Sequence, residues 1–224
     1  TTHLPPAFTQ DSLLVYTVAA LTGTYTNPDN STRPLILWED DNAFVNGTYP
    51  LDPPTIGVAS FDGMDRTGYP YDPENPNGEG PADVMTSVPI NWPSGTDVSD
   101  SVYLSFFIQP QGLSGDVEVD ENDSLWLDLY SPSQDLWFTE WSTHYTPLAP
   151  FMQVMLPITY PGYLQDGFRM RFSNRATLGG AVDHWHIDYV RLGLNRSATD
   201  TLLQDVAWAY PANTLLAPWT SVPL

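Results

Sequence analysis

The chain has 224 residues, with 27 Asp and Glu against seven Arg, no Lys, and a formal net charge of −20. Phosphate backbones and anionic lipid surfaces repel such a chain, which argues against nucleic-acid binding and against an electrostatic membrane anchor. Without Lys there is no Schiff-base or P-loop lysine and no Lys–Asn crosslink; without Cys there is no thiol catalysis, thiolate metal site or disulfide.

In chain order, residues 1–37 are rich in Thr, Pro and Asn around one apolar stretch, Leu13 to Leu21. That stretch is too short to cross a bilayer as a helix, and no membrane insertion is expected. No basic region and cleavage site open the chain, so a signal peptide is expected to have been removed or left out. Residues 1–37 read as a lead-in carrying one strand.

From about residue 55, alternation with period two dominates. Ser101–Ile108 sets Val102, Leu104, Phe106 and Ile108 on one side. Ser124–Tyr130 turns Leu125, Leu127 and Leu129 inward, with Trp126, Asp128 and Tyr130 outward. Gly167–Asn174 alternates Phe168, Met170 and Phe172 with Arg169 and Arg171. Further strands are predicted at Trp137–Trp141, Gln153–Thr159 and Val182–Leu192, with weaker ones near Ile56–Phe61 and Val84–Ile90. Turn pairs such as Asp62-Gly63, Asp166-Gly167 and Gly179-Gly180 separate them. Tyr69–Asp83, with four prolines, reads as a long loop. The predicted fold is all-β, an antiparallel β-sandwich of the jelly-roll kind over residues 38–194. Residues 195–224 lack a clear period and read as a tail or a linker to a following domain, so the chain is expected to be one piece of a longer protein.

Several residue groups carry chemical meaning. His184-Trp185-His186-Ile187-Asp188 puts both imidazoles on one side of a strand, at a spacing that reaches one metal ion. A cupin-like catalytic metal would need a Glu soon after, where Tyr189 to Leu192 stand instead, so His184 and His186 are read as structural or ligand-contacting. Trp126, Tyr130, Trp137 and Trp141 alternate outward of the apolar faces and form a candidate aromatic platform, to which His184 and His186 are added. Flat aromatic faces stack on sugar rings and also anchor protein interfaces.

The segments TIGVASFDGMDRTGYPYD, DSLWLDLYS, DGFRMRFSN and DHWHIDYVRL, in that order, resemble a module of large secreted and surface proteins of Bacteroidetes linked to the type IX secretion system. More distantly they resemble MAM and laminin-G-like jelly rolls. The resemblance implies a secreted or cell-surface, non-catalytic sandwich that contacts a glycan or a neighbouring protein. In jelly-roll binding modules, carboxylates on the closing I-D-Y-V strand hold a structural Ca²⁺, which here implies Asp183 and Asp188, met by Glu39 and Asp41 from the start of the sandwich. Ca²⁺ takes six to eight oxygen ligands, and a carboxylate cluster bridging two chain ends suits it.

Two alternatives accompany this reading. One is a structural component or cargo of the type IX secretion or gliding machinery, with a secretion-machinery protein as partner. The other is a laminarinase-like glycoside hydrolase, since Glu118-x-Asp120-x-x-Asp123 half-matches the Glu-x-Asp-x-x-Glu of those enzymes. No catalytic residue is assigned in the preferred reading.

Overall fold

The computed structural model describes residues 38–113 and 119–201, together with the backbone of three short strands at 13–16, 24–26 and 32–34. The side chain of Asp41 and the whole of Glu118 lie outside the described residues. So does the remainder of the predicted Leu13–Leu21 strand beyond Tyr16.

Among the described residues, thirteen strands follow one another: β1 (Leu13–Tyr16), β2 (Thr24–Thr26), β3 (Thr32–Pro34), β4 (Trp38–Asp41), β5 (Phe44–Asn46), β6 (Val58–Phe61), β7 (Glu79–Ser87), β8 (Tyr103–Pro110), β9 (Ser124–Ser131), β10 (Leu136–His144), β11 (Met152–Pro157), β12 (Arg169–Thr177) and β13 (Trp185–Gly193). A six-stranded sheet runs β11-β8-β13-β6-β5, with β1 also paired to β13, and a five-stranded sheet runs β10-β9-β12-β7-β4. Every pairing in both is antiparallel. From β6 to β13 the strands nest as 11-8-13-6 in one sheet and 10-9-12-7 in the other. This nesting is the jelly roll that the sequence predicts.

Alternation produces the core. Strand β12 alternates half-buried and buried residues along its whole length, so Met170 and Phe172 enter the core while Arg169, Arg171 and Arg175 face outward. From the facing sheet, Leu104, Phe106 and Ile108 of β8 meet Leu125, Leu127 and Leu129 of β9 in one apolar cluster. Phe106 stands edge-on to Phe172, with ring centroids 5.0 Å apart.

Strand β13 departs from simple alternation, since all but one of its residues are buried. Its outer side carries His186 and Asp188, and β6 and β8 add Ser60 and Gln109 beside them. These four polar side chains are 0–1% exposed because residues 47–56 cross over that face. Leu51 exchanges two hydrogen bonds with the Gln109 amide, at 2.7 and 2.9 Å. Thr55 donates from its backbone N and its hydroxyl to Asp188, at 2.7 and 2.6 Å. A sheet face would ordinarily shed polar side chains to water; here a strap supplies their partners instead.

The strap leaves no room beneath it. Gly112 has φ +67°, and a Cβ there would collide with Tyr49 O and come within 2.6 Å of His186 Nε2. Gly112→Ala is therefore expected to cost about 2 kcal/mol or more, from the left-handed backbone and the overlap together. Urea unfolding of the variant against wild type checks this.

Candidate functional site: the outer face of the five-stranded sheet

Register places the outward side chains of β9, β10 and β12 in rows across the five-stranded sheet. Trp137 and Arg169 both lie opposite Tyr130; Thr139 and Arg171 lie opposite Asp128; Ser142 and Ser173 lie opposite Trp126. Successive rows are two residues apart along a strand, roughly 7 Å, so the aromatic rows stand about 14 Å from one another with a charged row between.

The middle row is fully bonded. Asp128 accepts from Arg171 Nε and Nη2 at 3.2 and 2.7 Å, and from the Thr139 hydroxyl at 2.6 Å. Held this way, the Arg171 guanidinium lies over the Trp137 ring, 4.3 Å from its centroid, with Arg169 at 5.9 Å. Tyr130 packs beside Trp137, with centroids 5.3 Å apart and planes tilted by 49°. Its hydroxyl donates to Asp135 at 2.6 Å, and that bond raises the phenol pKa above its ordinary value. Arg169 pairs with Glu39 and donates to Ser87 O at 3.0 Å, and Arg175 pairs with Glu79 at 3.4 Å. Three of the seven arginines thus stand on one strand face, each beside a carboxylate. The face carries charge in pairs, and its Trp126, Tyr130 and Trp137 are each half-buried.

The predicted ligand-contacting residues therefore divide. Trp126, Tyr130 and Trp137 point outward, as the alternation predicts. Trp141 does not. A bulge between Thr139 and Trp141 shifts the pleat by one residue, and Trp141 turns inward to stand edge-on to Phe106 at 5.1 Å. His184 and His186 are 2% and 0% exposed and cannot reach a ligand in this structure. His186 is bonded at both ring nitrogens, to Ser60 Oγ at 2.7 Å and Gln111 O at 3.1 Å. His184 stacks between Tyr49 and His186. Desolvation holds their pKa values down at about 4 and about 3, so both rings are neutral at pH 7.

Of the four residues proposed for calcium, Asp41 has a side chain outside the described residues, and the other three are dispersed. Glu39 pairs with Arg169 on the outer face, and Asp188 is bonded to Thr55 and to Tyr189 N under the strap. Asp183 lies elsewhere, beside Gln111 and Asp120. Among the described residues, no three Asp, Glu or His side chains are gathered so as to hold a metal ion. For the glycosidase alternative, Asp123 is 1% exposed, sealed from any sugar outside.

Sequence reasoning missed the arginines as part of the face, although their alternation with Met170 and Phe172 already put them there. It also missed a buried acidic end to the sandwich. Asp62, Asp83 and Asp123 are 3%, 0% and 1% exposed, and burial pushes their pKa values up to about 6, about 8 and about 7. Asp83 accepts from Asp62 N at 2.9 Å and the Tyr71 hydroxyl at 2.8 Å, while Asp62 accepts from Met64 N at 2.6 Å.

Among the described residues, no helix is long and apolar enough to cross a membrane. No protein-family model matches the chain, and no curated protein matches it either. Solved structures similar to it include a point mutant of a family 29 carbohydrate-binding module, at 11% identity and a TM-score of 0.42, covering 86% of this chain and 99% of that one. The xylan-binding module CBM15 is similar at 11% identity and 0.39, covering 84% and 99%. An arabinose-bound α-L-arabinofuranosidase, MgGH51, is similar at 14% identity and 0.41, covering 82% of this chain and 26% of that one. Likenesses of this degree leave the function to be argued from the residues themselves.

Proposed function

We propose that this chain is a non-catalytic glycan-binding sandwich whose ligand lies across the outer face of the five-stranded sheet. The observation that carries the reading is the row pattern: Trp126 at one end, Trp137 with Tyr130 at the other, and the Arg171–Asp128–Thr139 group between. Aromatic faces stack on the apolar faces of sugar rings. The bonded guanidinium and carboxylate present fixed donors and acceptors to hydroxyls without a loose charge. A polyanionic chain would meet the field of a −20 protein, so the fitting ligand is an uncharged polysaccharide. A location outside the cell belongs to the same proposal and rests on the resemblance described above.

Affinity electrophoresis against soluble uncharged polysaccharides tests it. Wild type is expected to be retarded by at least one of them. Trp137→Ala is expected to lose about 30-fold or more in affinity, the usual size for a central aromatic anchor of about 2 kcal/mol. Its melting temperature should move little, because the ring is half-buried outside the core. No retardation by any uncharged polysaccharide would overturn the proposal.

A further inference from the structure

The strand orders of the two large sheets end in β4, β5, β10 and β11, and three of these edges are closed to further pairing. β4 carries Glu39, Asp40 and Asp41 in succession, β5 is three residues long, and β10 is interrupted by its bulge beside Glu140. Short, charged or bulged edges of this kind resist pairing with another chain. β11 is different: it has six residues, no charge and an unbroken register with β8. Ile158 continues that register and donates to Val102 O at 2.9 Å. Antiparallel strands exchange hydrogen bonds at every second residue, so Met152, Val154 and Leu156 bond to β8. The main-chain N–H and C=O of Gln153 and Met155 therefore point away from β8, out of the edge of the sheet. No described residue takes them up. The surroundings match. Residues 141–165, which hold β11, are the longest run in the sequence without an Asp, Glu or Arg. Tyr145, Leu148, Met152 and Tyr160 of that run are all exposed.

We propose that β11 pairs antiparallel with β11 of a second copy of this chain, joining two six-stranded sheets edge to edge in a two-fold dimer. The free edge is self-complementary. With Val154 at the two-fold axis, Gln153 faces the partner's Met155, and Met155 faces the partner's Gln153. Both open donors and both open acceptors on each copy are then used. Pro157, without an N–H to give, ends the pairing. Charge points to the same edge. Two chains at −20 repel wherever their carboxylates meet, and the run around β11 carries none. Pairing at the edge leaves the outer aromatic face open, so the dimer stands independently of the glycan-binding reading.

Sedimentation velocity of the full chain from about 5 to about 200 µM, in about 50 mM and about 500 mM NaCl, tests it. A monomer–dimer equilibrium is expected, and it should tighten as salt screens the repulsion between the two acidic chains. Gln153→Pro removes an outward N–H that the sheet itself does not use, and is expected to leave the chain monomeric. Gln153→Glu sets like charges near each other across the axis and should weaken the dimer about tenfold or more at low salt. Val45→Glu, on β5 at the other end of the same sheet, should leave it intact. Hydrogen exchange locates the contact: concentrating wild type should newly protect the amides of Gln153 and Met155. A monomer throughout in high salt, or a dimer equally tight in Gln153→Glu, would overturn the proposal. Should Gln153→Pro fail to fold, Gln153→Glu and the exchange pattern of wild type decide.

Discussion

Phe172→Ala is expected to lower the unfolding free energy by about 3–5 kcal/mol, the range for removing a fully buried aromatic ring. The reason lies in its position. Phe172 is 0% exposed on the inner face of β12, edge-on to Phe106 of the opposite sheet at 5.0 Å and tilted against Trp38 of β4 at 6.3 Å. It therefore touches both layers, and the rings around it are too large to collapse into the space left. For a domain of this size, each kcal/mol moves the melting temperature by about 2–4 °C. A fall of about 6–20 °C in calorimetry is the expected result. A fall under about 3 °C would mean that the two sheets do not close on this ring.

The second large effect is a loss of stability as pH rises from 6.5 to 8. Asp83 carries a pKa of about 8 in the folded protein against 3.8 when exposed, chiefly because burial disfavours its charge. Between those values the folded chain holds a proton that the unfolded chain has released, so raising pH favours unfolding. Asp62 acts the same way up to about pH 6, and Asp123, at about 7, adds to the loss in the lower part of the window. His184 and His186, depressed to about 4 and about 3, act in the opposite sense as pH falls below 6.5. Just above 6.5 the unfolded imidazoles still shed protons, which offsets the loss by under about 1 kcal/mol for the pair. One such carboxyl changes stability by about 1.4 kcal/mol per pH unit, so a loss of about 2 kcal/mol is expected across this window. Chemical denaturation at pH 6.5 and 8, in chelator, measures it. Asp83→Asn should flatten the dependence, whereas an unchanged slope in that variant would place the proton elsewhere.

The fold was legible where one face of a strand meets the core and the other meets water. Strands β9 and β12 satisfy that condition, and their alternation alone places Trp126, Tyr130, Arg169 and Arg171 outward. Strand β10 broke the inference at Glu140, because a bulge moves every later side chain to the other face and leaves no mark in composition. Strand β13 concealed a different fact. Its two histidines read as one side of a strand, with nothing to show that a strap of residues 47–56 roofs His186 and Asp188, since a contact so distant in sequence is invisible to local pattern. The acidic end was hidden for the same reason: Asp62 reads as a turn residue before Gly63, and Asp123 as the start of a strand. Only the closing of the two sheets buries them.

The aromatic face is tested most directly by mapping where a bound polysaccharide lies. Hydrogen exchange of the full chain, with and without the best-retained uncharged polysaccharide, reports this residue by residue. Added protection is expected along β9, β10 and β12, centred on Trp126, Asp128 and Trp137, with none under the strap. Protection centred instead on the opposite side of the sandwich, in the groove between Leu51 and the Leu148–Phe151 segment, would contradict the account.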